Sequence, residues 1–278
     1  MIPNQKQKIV NELEKLVAKS SQKKVANKAG ISNATISQMV NGKWELIADE
    51  MWRKVSVTLR IEDSWNTAVT SNFKLITELV GASKQLHMSI GISYDAGHGK
   101  SHAYKAFERM NQNVIYVECK NYWSKKSYVK ALLTACGMEV FGTTEEMIEA
   151  FIGHVMELEA PIIIIDQMDK LKDPQMDLFM DFYNDLYNHC GFVLSGVPAL
   201  KKRVLKGVQR DKIGYCELWS RIGRKFIALD PTSFQDVQLI CKANGVDDED
   251  VIERAYAESQ GDIRRVRRSV EQYFLLQK

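Results

Sequence analysis

The stretch HMSIGISYDAGHGKS (residues 87–101) joins a short apolar run to a glycine-containing turn and then to the polar start of a helix, AYKAF following at once. The apolar run has the length and composition of a buried strand. The turn fills most of the pattern G-x-x-x-x-G-K-[ST] with Gly97, Gly99, Lys100 and Ser101. Glycines at these places let backbone N–H groups wrap a phosphate, and the helix that starts there adds its positive end. A lysine next to them places a point charge at the β- and γ-phosphates, and the serine offers a hydroxyl to Mg²⁺. The expected nucleotide contacts are therefore Ala96, Gly97, His98, Gly99, Lys100, Ser101 and His102, with ATP and Mg²⁺ as cofactors. One element departs from the pattern: Tyr94 stands where the first glycine belongs.

Downstream, VIYVEC (114–119) reads as a second strand, TEEMIEAFIGHVMELEA (144–160) as an amphipathic helix, and IIIID (162–166) as a fully buried strand. The acid ending that strand, Asp166, is expected to join Ser101 in holding Mg²⁺. GFVLSGVP (191–198) is a further buried strand carrying Ser195 near the place of an attacking water, and RKFIALD (224–230) is a fifth. Alternation of apolar strands with helices implies a parallel sheet covered on both faces. Helices expected at about 233–243, 248–259 and 262–276 form a helical lid.

The chain has 278 residues, 45% of them apolar and 26% charged, which is ordinary globular composition and enough chain for two or three modules. Its apolar runs fall well short of a membrane span, and MIPNQKQKIVNELEK lacks the apolar centre of a signal segment. Membrane partners are therefore not expected. The five cysteines form no C-x-x-C pair and read as separate thiols of a reducing compartment. The net charge of +3 is uneven: residues 1–60 hold 11 Lys/Arg against 5 Asp/Glu, and residues 200–226 hold 9 against 2. Basic segments on a near-neutral chain suit a polyanionic partner as well as a solvated face.

In the first segment, Ile9, Val10, Leu13, Leu16 and Val17 have helical spacing. SQKKVANKAGISNATISQMVNGKW (21–44) then offers a capped helix, a turn at Gly30, and a second helix over Asn33–Val40. This is the pattern of a helix-turn-helix whose second helix enters the major groove. Asn33, Thr35, Ser37 and Gln38 are the side chains expected at base edges or phosphates, with Lys23, Lys24, Lys28 and Lys43 on flanking phosphates. A three-helix bundle used for protein contacts is the competing reading. The expected division is a helix-turn-helix DNA-binding domain at 1–66, a connector at about 62–71, an α/β nucleotide-binding core at 67–230 and a lid at 231–278.

The ordered set GISNATISQMVNGK, AGHGKS, IIIIDQMDKL, GFVLSGVPAL, ELWSRIGRKFIAL and SQGDIRRV resembles the AAA+ ATPases of the transposition-helper family over nearly the whole chain. The resemblance implies an AAA+ P-loop domain with a helical lid, ATPase activity, and a cytoplasmic protein encoded by a bacterium, phage or mobile element. It implies that Ser195 is the first sensor, Arg221 the finger reaching a neighbour's γ-phosphate with Arg224 in reserve, and Arg264 the sensor of the lid. It also implies ATP-bound helical filaments or rings around double-stranded DNA and a DDE-type transposase as partner. Lys120, Tyr122, Trp123, Lys125 and Lys126, in CKNYWSKKSYVK, are the candidates for the DNA-lining contact.

The implied function is an ATP-dependent DNA-binding regulator of transposition that oligomerises on target DNA and delivers it to the transposase. The alternatives are a transcription regulator whose AAA+ module gates oligomerisation by nucleotide, and a helicase loader. Family members usually follow the strand-tip Asp with a Glu that serves as base. Gln167 stands there instead. A glutamine can hydrogen-bond a water but cannot take its proton, so hydrolysis should fall by roughly 10²–10⁴-fold. Three readings compete: a native slow switch, an introduced Glu-to-Gln trap, which retention of the other elements favours, or a different acid such as Glu118.

Overall fold

The computed structural model describes residues 3–61 and 65–276. The connector expected at 62–71 therefore lies outside the described residues over 62–64, as do residues 1–2 and 277–278 of the outermost expected segments. The chain forms two compact units, one of residues 1–65 with 126–151 and one of 66–125 with 152–278.

The first unit is helical: α1 (Pro3–Lys19), α2 (Gln22–Ala29), α3 (Asn33–Val40) and α4 (Asp49–Thr58). α2 and α3 are eight residues each, too short to hold as isolated helices. Capping and packing make up the difference. The Ser21 hydroxyl accepts the Lys24 N–H (3.2 Å) and Ser32 accepts that of Thr35 (3.0 Å). Gly30 ends α2 at φ 64°, the left-handed conformation that costs glycine least. Ile9, Val10, Leu13, Val25, Ala29, Ile36, Met39, Trp52 and Val55 form the buried core.

Residues 126–151 belong to this unit as well: Asn27 Nδ2 donates to the Gly137 carbonyl (2.9 Å) and Lys23 Nζ pairs with Glu139 (2.9 Å). The division thus differs from the continuous segments expected, because a loop distant in sequence packs on α2.

The second unit is built on α5 (Ser71–Gln85), β1 (Ser89–Ser93), α6 (Lys100–Met110) and β2 (Val114–Glu118). The chain continues through α7 (Lys125–Ala135) and α8 (Thr144–Met156), which belong mostly to the first unit. It returns with β3 (Ile162–Asp166), α9 (Asp173–Met176), α10 (Leu178–Asp185), β4 (Gly191–Gly196), α11 (Pro198–Gln209), α12 (Tyr215–Arg221) and β5 (Phe226–Ile227). The strands form a five-stranded parallel sheet in the order β2-β3-β4-β1-β5.

Alternate strand residues, Ile92, Tyr116, Ile162, Ile164 and Val193, pack with Ile76 and Val80 of α5 and Tyr104 and Phe107 of α6. The opposite face meets α10, where the Phe179 and Phe192 rings lie edge to face at 5.4 Å.

The fifth strand is shorter than expected. Arg224 takes a left-handed φ of 53°, and Asp230 exchanges hydrogen bonds with the Asn72 side chain instead of extending a ladder. The helix expected at 144–160 ends at Met156.

The last helices, α13 (Phe234–Ala243), α14 (Glu249–Ser259) and α15 (Ile263–Leu276), lie within the second unit. Asp236 secures α13 twice over. Its Oδ2 accepts from Ser233 N (3.0 Å) in a capping box, and its Oδ1 accepts from Ser71 N (2.7 Å) at the start of α5.

Candidate functional site

The site gathers at the C-terminal edge of the sheet, where parallel α/β sheets bind ligands. β1 delivers the loop Tyr94–Gly99, and α6 begins at Lys100. Gly97 and Gly99 take φ of 87° and 82°. Gly97 has a second constraint: a Cβ there would lie 2.2 Å from Asp262 Oδ1, just before α15. The Ile263 N–H also donates to the Gly97 carbonyl (2.8 Å), so α15 is docked on the loop.

Tyr94, the departure from the motif, has a structural place. Its N–H donates to the Gly196 carbonyl (3.3 Å), its body packs on the core, and its ring meets that of His98 edge to face at 4.8 Å. Ala96 accepts from His98 Nδ1 (3.2 Å).

Lys100 is buried, its ammonium donating to the carbonyls of Tyr94 (2.7 Å) and Asp95 (2.8 Å). Burial lowers its pKa, against the pull of Asp166, Asp95 and Asp169. The Ser101 hydroxyl donates to Asp166 Oδ2 (2.5 Å), which also accepts from the Tyr116 hydroxyl (3.1 Å). Asp166 Oδ1 accepts from the Gln167 N–H (2.9 Å). Burial raises the Asp166 pKa, and these hydrogen bonds only partly offset it. A buried carboxylate touching a hydroxyl at a helix start is a hard-oxygen donor set. It fits Mg²⁺, which takes few protein ligands and completes its shell with phosphate and water.

Gln167 sits at φ 56°, its Nε2 donating to Glu118 Oε1 (3.1 Å) and its Oε1 accepting from Lys170 Nζ. His102 turns away from the loop toward the segment before α5, its Nε2 2.9 Å from Thr67 Oγ1.

Ser195 lies within β4. It is fully buried, one residue before the end of β4 and opposite Ile92. Its hydroxyl lies beside the equally buried Tyr104 phenol, and neither meets hydrogen-bond geometry with any partner among the described residues. The strand continues to Gly196, and Asp169 Oδ1 accepts from Val197 N (3.1 Å) beyond it. Ser195 is thus fully buried near the end of β4.

Arg264 forks onto Asp262 (Nη2 to Oδ2, 2.7 Å), within electrostatic reach of Lys100. Arg221, exposed at the end of α12, rests over the Tyr183 ring at 4.8 Å, and exposed Arg224 follows it. The structure shows neither in hydrogen-bond contact with the phosphate loop among the described residues.

The residues expected on DNA fall in two groups. In the helical unit, Thr35 Oγ1 bonds Ser32 Oγ (2.8 Å), Ser37 accepts from Asn41 (3.1 Å), and Asn33 Oδ1 accepts from Gln22 Nε2 (2.9 Å). Gln38 is half-buried and Lys43 exposed, while Lys23 pairs with Glu139 and Lys24 packs against Gly137. In the second group, Lys120 Nζ lies 3.5 Å from Glu118, Tyr122 is 83% exposed, the Trp123 carbonyl accepts from Gln175, and Lys125 and Lys126 are exposed.

The site residues not anticipated are Tyr116, Asp169 and Asp262. Period-two alternation in VIYVE puts Tyr116 on one face with Glu118, but only the register sets Glu118 opposite Asp166.

Residues 92–204 match the family model described as AAA domain, a span running from the end of β1 into α11 and containing the whole loop–Asp166 constellation. An AAA-family domain is therefore present, and the parallel sheet with flanking helices fits it. Domains of this family are generally ATPases that use ATP and Mg²⁺. No curated protein matches the chain.

Proposed function

We propose that the chain is an ATP-dependent DNA-binding regulator of DNA transposition, in which ATP binding drives oligomerisation on target DNA and presents that DNA to a DDE-type transposase. What supports this reading is one chain that holds both a buried Lys100 beside the Ser101–Asp166 bond and a pair of capped eight-residue helices, α2 and α3, the first of them lysine-rich. The Gln22–Asn33 bond supports it by tying the starts of the two helices together. Ser101 and Asp166 would hold Mg²⁺, whose charge offsets that gathering on the phosphate oxygens. Exposed Arg221 and Arg224 are available to a neighbouring subunit, and Arg264 can exchange Asp262 for phosphate.

The test is sedimentation and negative-stain imaging with duplex DNA of mixed sequence, with and without Mg²⁺-ATP. Sequence-tolerant, ATP-dependent coating of the duplex is expected. Tight binding of a few sites by a small oligomer, independent of ATP, would replace this reading with a nucleotide-gated transcription regulator.

A further inference from the structure

Glu118 ends β2 opposite Asp166 in the parallel register, so the two carboxylates leave neighbouring strands on the same face. Its side chain is 17% exposed and bound on both oxygens. Oε1 accepts from Gln167 Nε2 (3.1 Å) and lies 3.5 Å from Lys120 Nζ. Oε2 lies 3.3 Å from Lys105 Nζ and 3.5 Å from the Tyr116 hydroxyl, which also bonds Asp166.

The amide of Gln167 is held at both ends, oxygen toward Lys170 and nitrogen toward Glu118. An ionised carboxylate at this position has no hydrogen to donate to Glu118. A carboxylate at position 167 would face Glu118 and follow Asp166 with like charge, which destabilises at least one ionised form. Gln167 and Glu118 are thus a matched pair. Of the other acids here, Asp166 bonds Ser101 and is the proposed Mg²⁺ ligand, and Asp169 accepts from Val197 N beyond the end of β4.

Resting on the ATPase reading above, we infer that Glu118 is the general base of hydrolysis, displaced from the tip of β3 to the end of β2, and that Gln167 is a positioning residue for the water. In the step, Glu118 takes one proton from water. The water oxygen forms its bond to the γ-phosphorus as the bond from that phosphorus to the β–γ bridging oxygen breaks. ADP leaves with the electron pair, inorganic phosphate is the second product, and Glu118 then releases the proton to solvent. Lys105 and Lys120 lie against the two carboxylate oxygens.

The experiment measures phosphate release and binding of a fluorescent ATP analogue for the full chain and for Glu118→Gln, Gln167→Glu and the double variant Glu118→Gln/Gln167→Glu, with Lys100→Ala as background. The parent is expected to turn over, and Glu118→Gln to lose about 100-fold in kcat, the usual worth of a positioned base, with nucleotide affinity within about threefold. Gln167→Glu alone should not raise turnover. The double variant, with its carboxylate moved to position 167, should recover at least about tenfold over Glu118→Gln.

The inference is overturned if the parent binds the analogue without turnover above background, or if Glu118→Gln keeps more than about a tenth of the rate. It is equally overturned if Gln167→Glu alone gains about 100-fold, or if Glu118→Gln and the double variant both lose nucleotide binding, which would make Glu118 structural. A parent that binds no ATP would sink the nucleotide reading itself.

Discussion

At the scale of single residues, the site is governed by charge held out of water. Asp166 is buried with its pKa raised, so the folded chain binds its proton more tightly than the unfolded chain does. Between the ordinary aspartate value of ~3.9 and the raised one, stability from this group falls as pH rises, and a cation that favours the ionised form recovers it. Asp166→Asn should therefore leave the melting temperature at pH 7.5 no lower than the parent's while erasing the thermal shift produced by Mg²⁺-ATP. A variant that melts lower yet keeps the shift would show that Asp166 is not the cation's anchor. The start of α6 at Lys100 and the strand ending in Asp166 were legible because each follows from residue type and local spacing. Tyr94 was not legible, since its partners are the ring of His98 and a carbonyl at the end of β4.

At the scale of elements, helix ends carry contacts that reach across the second unit. Burial pushes Asp236 up, but hydrogen bonds from Ser71 and Ser233 outweigh it and hold the carboxyl below its ordinary value. The stability it contributes is full above the unfolded pKa of ~3.9 and is lost as pH falls through the lower folded value. Asp236→Asn should cost about 1–3 kcal/mol at pH 7 in denaturant unfolding, and the difference from the parent should shrink in acid. A cost that is the same at pH 7 and in acid would contradict the ionic origin.

The contact of α15 with the phosphate loop gives a second element-scale outcome. In Gly97→Ala the new methyl meets Asp262, and the φ of 87° strains any side chain. Amide exchange at Ile263, whose N–H is bonded to Gly97, should accelerate by at least about tenfold, equivalent to the ~1–3 kcal/mol of a strained backbone position. Unchanged exchange would mean that α15 does not depend on this contact.

At the scale of the whole molecule, the proposed DNA contacts rest on exposed cations rather than on buried recognition. The Lys23–Glu139 pair is largely solvent-exposed, so Lys23→Ala should shift stability by no more than about 0.5 kcal/mol. Lys23→Ala and Lys43→Ala should each weaken DNA binding across sequences and reduce the slope of log affinity against log salt by about 0.9, as read by fluorescence anisotropy. Unchanged slopes would remove these lysines from the interface. Residues 126–151 are part of the helical unit through Asn27 and Gly137, a join that periodicity could not reveal because it links segments more than a hundred residues apart. The glycine loop after β1, the buried β3 run ending in Asp166 and the capped helices could be read from residue type and spacing within one or two turns of chain. The burial of Ser195 beside Tyr104, the closeness of Asp262 to Gly97 and the meeting of Glu118 with Gln167 came from the packed fold alone. The physical reason is that strand register and helix docking are set by burial summed over the whole core, and a single residue's chemistry says nothing about which distant neighbour that sum will place against it.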